Sequence, residues 1–309
     1  MGAMSQPLAL PSGWVAATLR DYSELVKLRV TSLIVMTAWC GYYLASRQSG
    51  FPVLGVGLVH ALLGIGLVSS GTAALNEVIE RDTDRLMTRT ARRPMPAGRM
   101  TALLGAVVGV ALAVAGSLYL TLLTNVLTGL LTFLTSVAYL AVYTPLKRVS
   151  VWCTFVGAFP GAMPGVLGWT AASGKLGFGP AVLFAILFLW QFPHFFSIAW
   201  LYREDYAQGG IRMLPVVEPT GRATARRILA YSLFLIPVSM LPAFMGMTGR
   251  LYLGSAVVLG VLLFCAGFRL ALLKRPIASG ISKMRARQLL QATIVYLPVL
   301  FVIMMMNSK

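Results

Sequence analysis

Residues 101–143 read TALLGAVVGVALAVAGSLYLTLLTNVLTGLLTFLTSVAYLAVY, and none of them is charged. Crossing about 30 Å of hydrocarbon takes roughly 20 apolar residues in a helix, so this stretch is long enough to cross twice. The turn falls at Leu122–Thr124, which divides it into spans at 101–121 and 125–143 joined as a tight hairpin. Seven more apolar blocks follow the same rule, near 28–47, 53–75, 151–171, 179–201, 228–247, 251–272 and 288–306. The fold expected is an all-α membrane bundle of nine transmembrane helices, with cytoplasmic polar loops after the second and sixth. One spanning domain fills 28–306, between a cytoplasmic N-terminal segment at 1–27 and a short tail at 307–309. The first apolar run is long enough to span and carries no cleavage signature, which argues against a removable signal peptide.

Composition agrees. Hydrophobic residues make up 58% of the 309 and charged residues 11%, whereas soluble domains carry about 25% charged. The net charge of +17 raises the question of nucleic acid, but the basic residues sit between apolar blocks and form no stripe or arm. No nucleic-acid partner is expected; the partner implied is the lipid bilayer. Cys40, Cys153 and Cys265 all fall inside apolar blocks without metal-site spacing, and read as buried, inert thiols.

With nine spans, the N-terminus and the loops after spans 2, 4, 6 and 8 share one side and hold 22 of the 26 Lys and Arg residues. Only Arg47, Lys175, Arg250 and Lys309 lie on the other. The excess of positive charge places the N-terminus in the cytoplasm and the C-terminus across the membrane. All nine acidic residues fall on the same basic side. Carboxylates contribute little to orientation, so the choice is between solvated surface ion pairs and a site.

The spacing favours a site. In NEVIERDTDRLMTRTARRPMPAG, residues 76–98, a helix continuing past the bilayer would put Asn76, Glu80 and Asp84 at i, i+4 and i+8 on one face. Oxygen donors without His or Cys suit Mg²⁺, which is usually completed by substrate phosphates. The same loop supplies Arg85, Arg89, Arg92, Arg93 and Arg99, whose forked donors match phosphate. The loop at 202–227 repeats acid before base, with Glu204, Asp205 and then Arg212. YTPLKR adds Tyr143, Lys147 and Arg148, which could equally be interfacial anchors. A cation-coupled transporter remains an alternative, but it predicts acids at mid-membrane, and here each carboxylate is placed outside or at the edge of a span.

These stretches resemble the UbiA prenyltransferase superfamily. Asn76, Glu80 and Asp84 fit its N-x-x-x-E/D-x-x-x-D pattern. ERDTDRLMTRTARRPMPAG, YTPLKR, GAFPGAMPGVLGW and WQFPHFFSIAWLYREDYAQGGIRMLPVV are similar to its haem O synthase branch. The resemblance covers nearly the whole chain and implies a Mg²⁺-dependent transfer of the farnesyl group of farnesyl diphosphate to protoheme IX (haem B, a substrate rather than a cofactor). It assigns Asn76, Glu80, Asp84 and Asp205 to metal and catalysis. Arg89, Arg93, Lys147 and Arg148 go to the diphosphate, with Asp82 and Glu204 in support. His194 becomes the residue expected to contact haem, a common axial ligand type; the plainer alternative is a histidine hydrogen-bonded within the bundle. Pro193 is expected to interrupt that helix, and His60 to be structural. The second acidic motif holds only Glu204 and Asp205, sparser than the superfamily's usual pattern. A quinone precursor or a chlorophyllide is the competing acceptor. The resemblance also implies the cell inner (plasma) membrane, with haem A synthase or a terminal-oxidase assembly as protein partners.

Overall fold

The computed structural model describes residues 14–273 and 277–309. Thirteen residues of the expected N-terminal segment, and Lys274 and Arg275 among the basic residues, lie outside that range. Among the described residues no β-strand forms. The helices are α1 (Trp14–Leu25), α2 (Leu28–Ser49), α3 (Val56–Asp84), α4 (Ala102–Leu123), α5 (Val126–Val149), α6 (Cys153–Ser173), α7 (Phe178–Leu201), α8 (Arg203–Gln208), α9 (Leu214–Val217), α10 (Arg222–Phe244), α11 (Arg250–Ala271) and α12 (Gly280–Met306).

Each of the nine expected spans overlaps one long helix. Eight of these are long and apolar enough to cross a membrane. The ninth, α6, has the length, 21 residues, but glycines and prolines dilute its apolar character. The protein is therefore a multi-pass membrane protein. The α4–α5 hairpin turns where the uncharged stretch allowed it, because two side chains supply caps. Thr101 accepts from the Leu104 N–H at the start of α4, and Asn125 accepts from the Thr128 N–H at the start of α5. Such caps satisfy N–H groups that a helix start leaves unpaired. The Asn125 amide also donates to the Thr170 carbonyl at 2.9 Å, tying the hairpin to the end of α6.

Helices α2 to α6 pack as one group and α7, α10, α11 and α12 as another, joined where α6 meets α7 and α12 meets α2. Lipid supplies no hydrophobic drive between spans, so close approach of small residues holds them. The α2–α6 contact shows this: a Cβ on Gly168 would lie 1.8 Å from the Ala38 carbonyl oxygen, and one on Gly41 2.0 Å from that of Gly165. The two backbones touch.

Three expectations need correction. The segment from Asn76 is not loop at first: α3 runs 29 residues to Asp84, about 43 Å at 1.5 Å per residue, so its last turns extend beyond an apolar layer of about 30 Å. Pro193 does not break α7, which continues through it to Leu201; neighbouring helices make such prolines tolerable inside a bundle. Pro160 and Pro164 likewise sit within α6. Cys265 is exposed rather than buried, because it lies on the outward face of α11. His60 does pair structurally, with the Tyr119 hydroxyl at 2.7 Å.

Residues Ala138–Tyr143 of α5 form a π-helical turn. Turns of this kind insert an extra residue and so rotate the remainder of the helix to a new direction. Here the turn brings the rings of Tyr139 and Tyr143 within 5.0 Å and sets up Thr144 and Lys147 beside α3. Gly157 of α6 leaves the space that the Tyr143 ring fills, since a Cβ there would lie 2.4 Å from it.

Candidate active site

The last two turns of α3 carry the polar face foreseen from spacing. Asn76 and Asp84 are 1% exposed, which no solvated surface loop would show. Each of the three side chains meets a cation brought from elsewhere in the chain. The Asn76 Oδ1 accepts from the Lys27 ammonium at 2.6 Å, while its amide nitrogen donates to the Thr144 hydroxyl at 3.2 Å. Glu80 pairs with Lys147 at 2.7 Å, and Asp84 pairs with Arg93 at 2.5 Å. The Lys147 ammonium also lies 4.7 Å from the centre of the Tyr143 ring.

Lys27 was not singled out from sequence. It sits in the short link between α1 and α2 in a left-handed conformation, φ 48° and ψ 51°, and is the one described non-glycine residue with positive φ. That geometry costs an L-residue about 1–2 kcal/mol. Burial first, then the positive charges of Arg93 and Lys147, pull its ammonium down to about 7, against the opposite pull of Glu80 and Asp84.

Glu77, also missed, lies one residue along from Asn76 and is fully buried. Its Oε1 accepts from the Met95 N–H at 3.2 Å, while Oε2 has no partner. That contact folds the arginine-rich segment 85–100 back against α3. The Thr90 hydroxyl donates to the Asp84 carbonyl at 3.0 Å. Arg99 closes the segment by pairing with Asp21 at 3.0 Å and Glu24 at 3.5 Å, both on α1.

The second acidic loop meets the same segment. The Arg89 N–H donates to Asp205 Oδ2 at 3.2 Å, and its guanidinium reaches the Tyr206 hydroxyl at 3.4 Å. That guanidinium also lies 5.2 Å from the Tyr202 ring centre and 5.8 Å from that of Tyr206. Burial pushes the Tyr206 phenol above its ordinary value. The Arg212 N–H donates to the Lys147 carbonyl at 2.8 Å, which joins this loop to the end of α5. A cavity of about 420 Å³ opens here, lined by Thr88, Arg89, Leu201, Tyr202, Glu204 and Asp205.

Not every expected residue joins. Arg148 is exposed; its neighbour Lys147 takes the inward direction, and successive helical positions diverge by about 100°. Asp82 is exposed and pairs with Arg81 and Arg85, and Glu204 pairs with Lys283. Among the described residues, no three His, Cys, Asp or Glu side chains gather closely enough to hold an ion by themselves. The carboxylates are each drawn toward a different cation. The donor set is nonetheless all oxygen, on one helix face and the loop opposite, which fits a hard divalent ion completed by phosphate oxygens.

His194 lies in α7, about two turns before its end. Its Nδ1 meets the Thr293 hydroxyl at 2.9 Å. That hydroxyl gives its single proton to the Leu290 carbonyl at 2.6 Å, so toward His194 it can only accept. The imidazole proton is therefore on Nδ1, and Nε2 keeps a lone pair. The ring stacks on Trp190 at 4.8 Å, whose N–H donates to the Thr293 carbonyl at 2.9 Å.

Comparison with known proteins defines the class. The UbiA prenyltransferase family matches residues 34–286, and the chain belongs to that family. Within it, the chain is 55% identical over 307 residues to a protoheme IX farnesyltransferase of Koribacter versatilis (strain Ellin345), covering 99% of both chains. It is 47% identical over 295 residues to one of Solibacter usitatus (strain Ellin6076), covering 94% of this chain and 99% of that one. Among solved structures, a digeranylgeranylglyceryl phosphate synthase superposes with a TM-score of 0.72 at 16% identity, over 94% of this chain and 98% of the other. A UbiA homologue from Archaeoglobus fulgidus bound to GPP and Mg²⁺ gives 0.57 at 14% identity, over 92% and 99%. These two likenesses concern the fold.

Proposed function

We propose that the protein is a haem O synthase, transferring the farnesyl group of farnesyl diphosphate to a vinyl group of protoheme IX with addition of water. The products are haem O and diphosphate. The observation that carries this reading is the α3 face of Asn76, Glu80 and Asp84, interlocked with Lys27, Lys147 and Arg93 and set beside Arg89 and Asp205. Its acceptor follows from relatives bearing that activity's name at up to 55% identity across the whole chain.

A vinyl carbon is a weak nucleophile, so the reaction depends on departure of the allylic diphosphate. The C–O bond breaks with its electron pair leaving on the diphosphate. The new C–C bond forms at the terminal vinyl carbon, and water adds at the neighbouring carbon with loss of a proton. Asn76, Glu80, Asp84 and Asp205, together with phosphate oxygens, would hold Mg²⁺, which would neutralise charge on the leaving group. The protein's part is electrostatic: Arg89, Arg93 and Lys147 present fixed positive charge where negative charge develops. Arg148, exposed and one residue from Lys147, remains available to a diphosphate oxygen outside the pair. The farnesyl chain enters among apolar spans, where water able to intercept an allylic cation is excluded. His194, with Nε2 unprotonated, is suited to hold haem iron. The enzyme lies in the cell inner membrane with its N-terminus and this site toward the cytoplasm, following the charge asymmetry.

The test uses purified protein with hemin, farnesyl diphosphate and Mg²⁺. Diphosphate should be released and the porphyrin should gain the mass of a farnesyl unit plus water. EDTA and Asp84→Ala should each abolish turnover; turnover surviving both removes the metal assignment. Transfer to a hydroxybenzoate or chlorophyllide, with none to hemin, removes the acceptor assignment.

A further inference from the structure

The three oxygens of the α3 face that would meet a metal are already engaged, each by its own cation. Each of these contacts must be broken or shared before an ion can take its oxygen. A bare divalent ion entering there must displace a hydrogen-bonded ammonium from Asn76 and has nothing to offer it in return. A metal–diphosphate complex meets the opposite situation. Its phosphate oxygens offer the displaced cations new partners, and its net charge is negative.

Lys27 is the member of this set whose presence the backbone least explains. Six glycines among the described residues take positive φ, and glycine would serve the α1–α2 link without strain. Lysine occupies it instead, and its side chain reaches 49 residues along the sequence to Asn76. Leu25, fully buried two residues earlier, and the Arg99 pairs to Asp21 and Glu24 anchor α1 on the same segment that carries Arg93. An ammonium has three donors, and Asn76 uses one.

We propose that Lys27 is a positioning residue that makes metal binding conditional on diphosphate, by occupying the Asn76 oxygen until phosphate oxygens draw its ammonium away. The proposal rests on the assignment of Asn76, Glu80 and Asp84 to the metal. Lys27 then has two opposed effects. It weakens binding of the metal alone and strengthens binding of the metal–diphosphate complex. A residue that merely braces the link would affect both in the same direction.

The experiment uses the full chain in detergent and Mn²⁺ as the spectroscopic probe. Free Mn²⁺ is followed by electron paramagnetic resonance, first with the ion alone. Binding of a preformed 1:1 Mn²⁺–pyrophosphate complex is then measured by calorimetry. Lys27→Gly keeps the left-handed link without strain and removes the amine; Lys27→Arg keeps a cation. For Lys27→Gly, Mn²⁺ alone should bind about 10-fold more tightly and the complex about 10-fold more weakly, with Lys27→Arg near the parent protein in both. Unchanged affinity for the ion alone in Lys27→Gly overturns the proposal, as does a parallel loss of both affinities. Asn76→Ala and Asp84→Asn report on the underlying reading separately. If neither weakens the Mn²⁺–pyrophosphate complex, the metal assignment fails whatever Lys27 does.

Discussion

Removing Arg93 should separate the two roles this side chain plays, in the fold and at the site. Asp84 keeps 2% of its side-chain surface exposed and Arg93 25%. Truncating one partner of a buried ion pair leaves the other charge uncompensated, at about 3–5 kcal/mol. The lower end, about 3 kcal/mol, applies here because water reaches the Arg93 side of the pair. For a chain of this size that corresponds to a fall in Tm on the order of 5–10 °C, measurable by thermal unfolding in detergent. The double variant Arg93→Met with Asp84→Asn replaces both charges by neutral groups. It should recover most of that loss, since exchanging a whole buried pair for neutral groups is often close to neutral in stability. Diphosphate release should stay absent in single and double variants alike. A single variant with unchanged Tm would show that Asp84 is not buried against this arginine. A double variant as unstable as the single would show that packing of the guanidinium, rather than its charge, held the segment.

Other perturbations have defined outcomes. Gly168→Ala places a Cβ 1.8 Å from the Ala38 carbonyl oxygen, so α2 and α6 must separate; a loss of about 1–3 kcal/mol is expected, and an unaltered unfolding curve would contradict the backbone contact. Glu77→Ala removes the acceptor for the Met95 N–H. Trypsin should then cut at Arg92 or Arg99 several-fold faster, and equal rates would mean that Glu77 does not hold the segment. Thr293→Val deprives His194 Nδ1–H of its acceptor. Groups behind a metal-bound histidine typically contribute about 10–100-fold in metal affinity, so hemin titrated by its Soret band should bind at least 10-fold more weakly, with His194→Ala weaker still. A Soret spectrum unmoved by both substitutions would take His194 away from the haem iron.

The outline of the bundle was legible because a hydrocarbon layer imposes run lengths that composition alone reveals. The acidic face was legible for a related reason: helical spacing survives past the last apolar turn, so Asn76, Glu80 and Asp84 stay aligned. Partners were harder. The arginines of 85–99 read as phosphate ligands from their number, yet Arg93 pairs with Asp84 and Arg99 with Asp21, and nothing in local composition distinguishes these uses. Lys27 escaped notice because a single lysine at the start of a span looks like an interfacial anchor. Its role depends on a left-handed turn that no residue type announces. Glu77 was hidden because it lies about 100° away from the face of Asn76, Glu80 and Asp84, and spacing alone does not show what a side chain there meets. Arg148 shows the converse, a plausible ligand by type that helical geometry turns outward.

The contact from Lys27 to Asn76 and that from Thr293 to His194 share a property with practical weight. Both Lys27 and Thr293 lie outside residues 34–286, the interval that matches the family as a whole. A fragment trimmed to those limits would retain every residue of the recognisable motifs, yet would lack the amine opposite the first of them and the hydroxyl that orients the imidazole. Expression fragments, chimaeras and terminal tags are therefore best designed around α1 and the second half of α12 rather than around the matched interval.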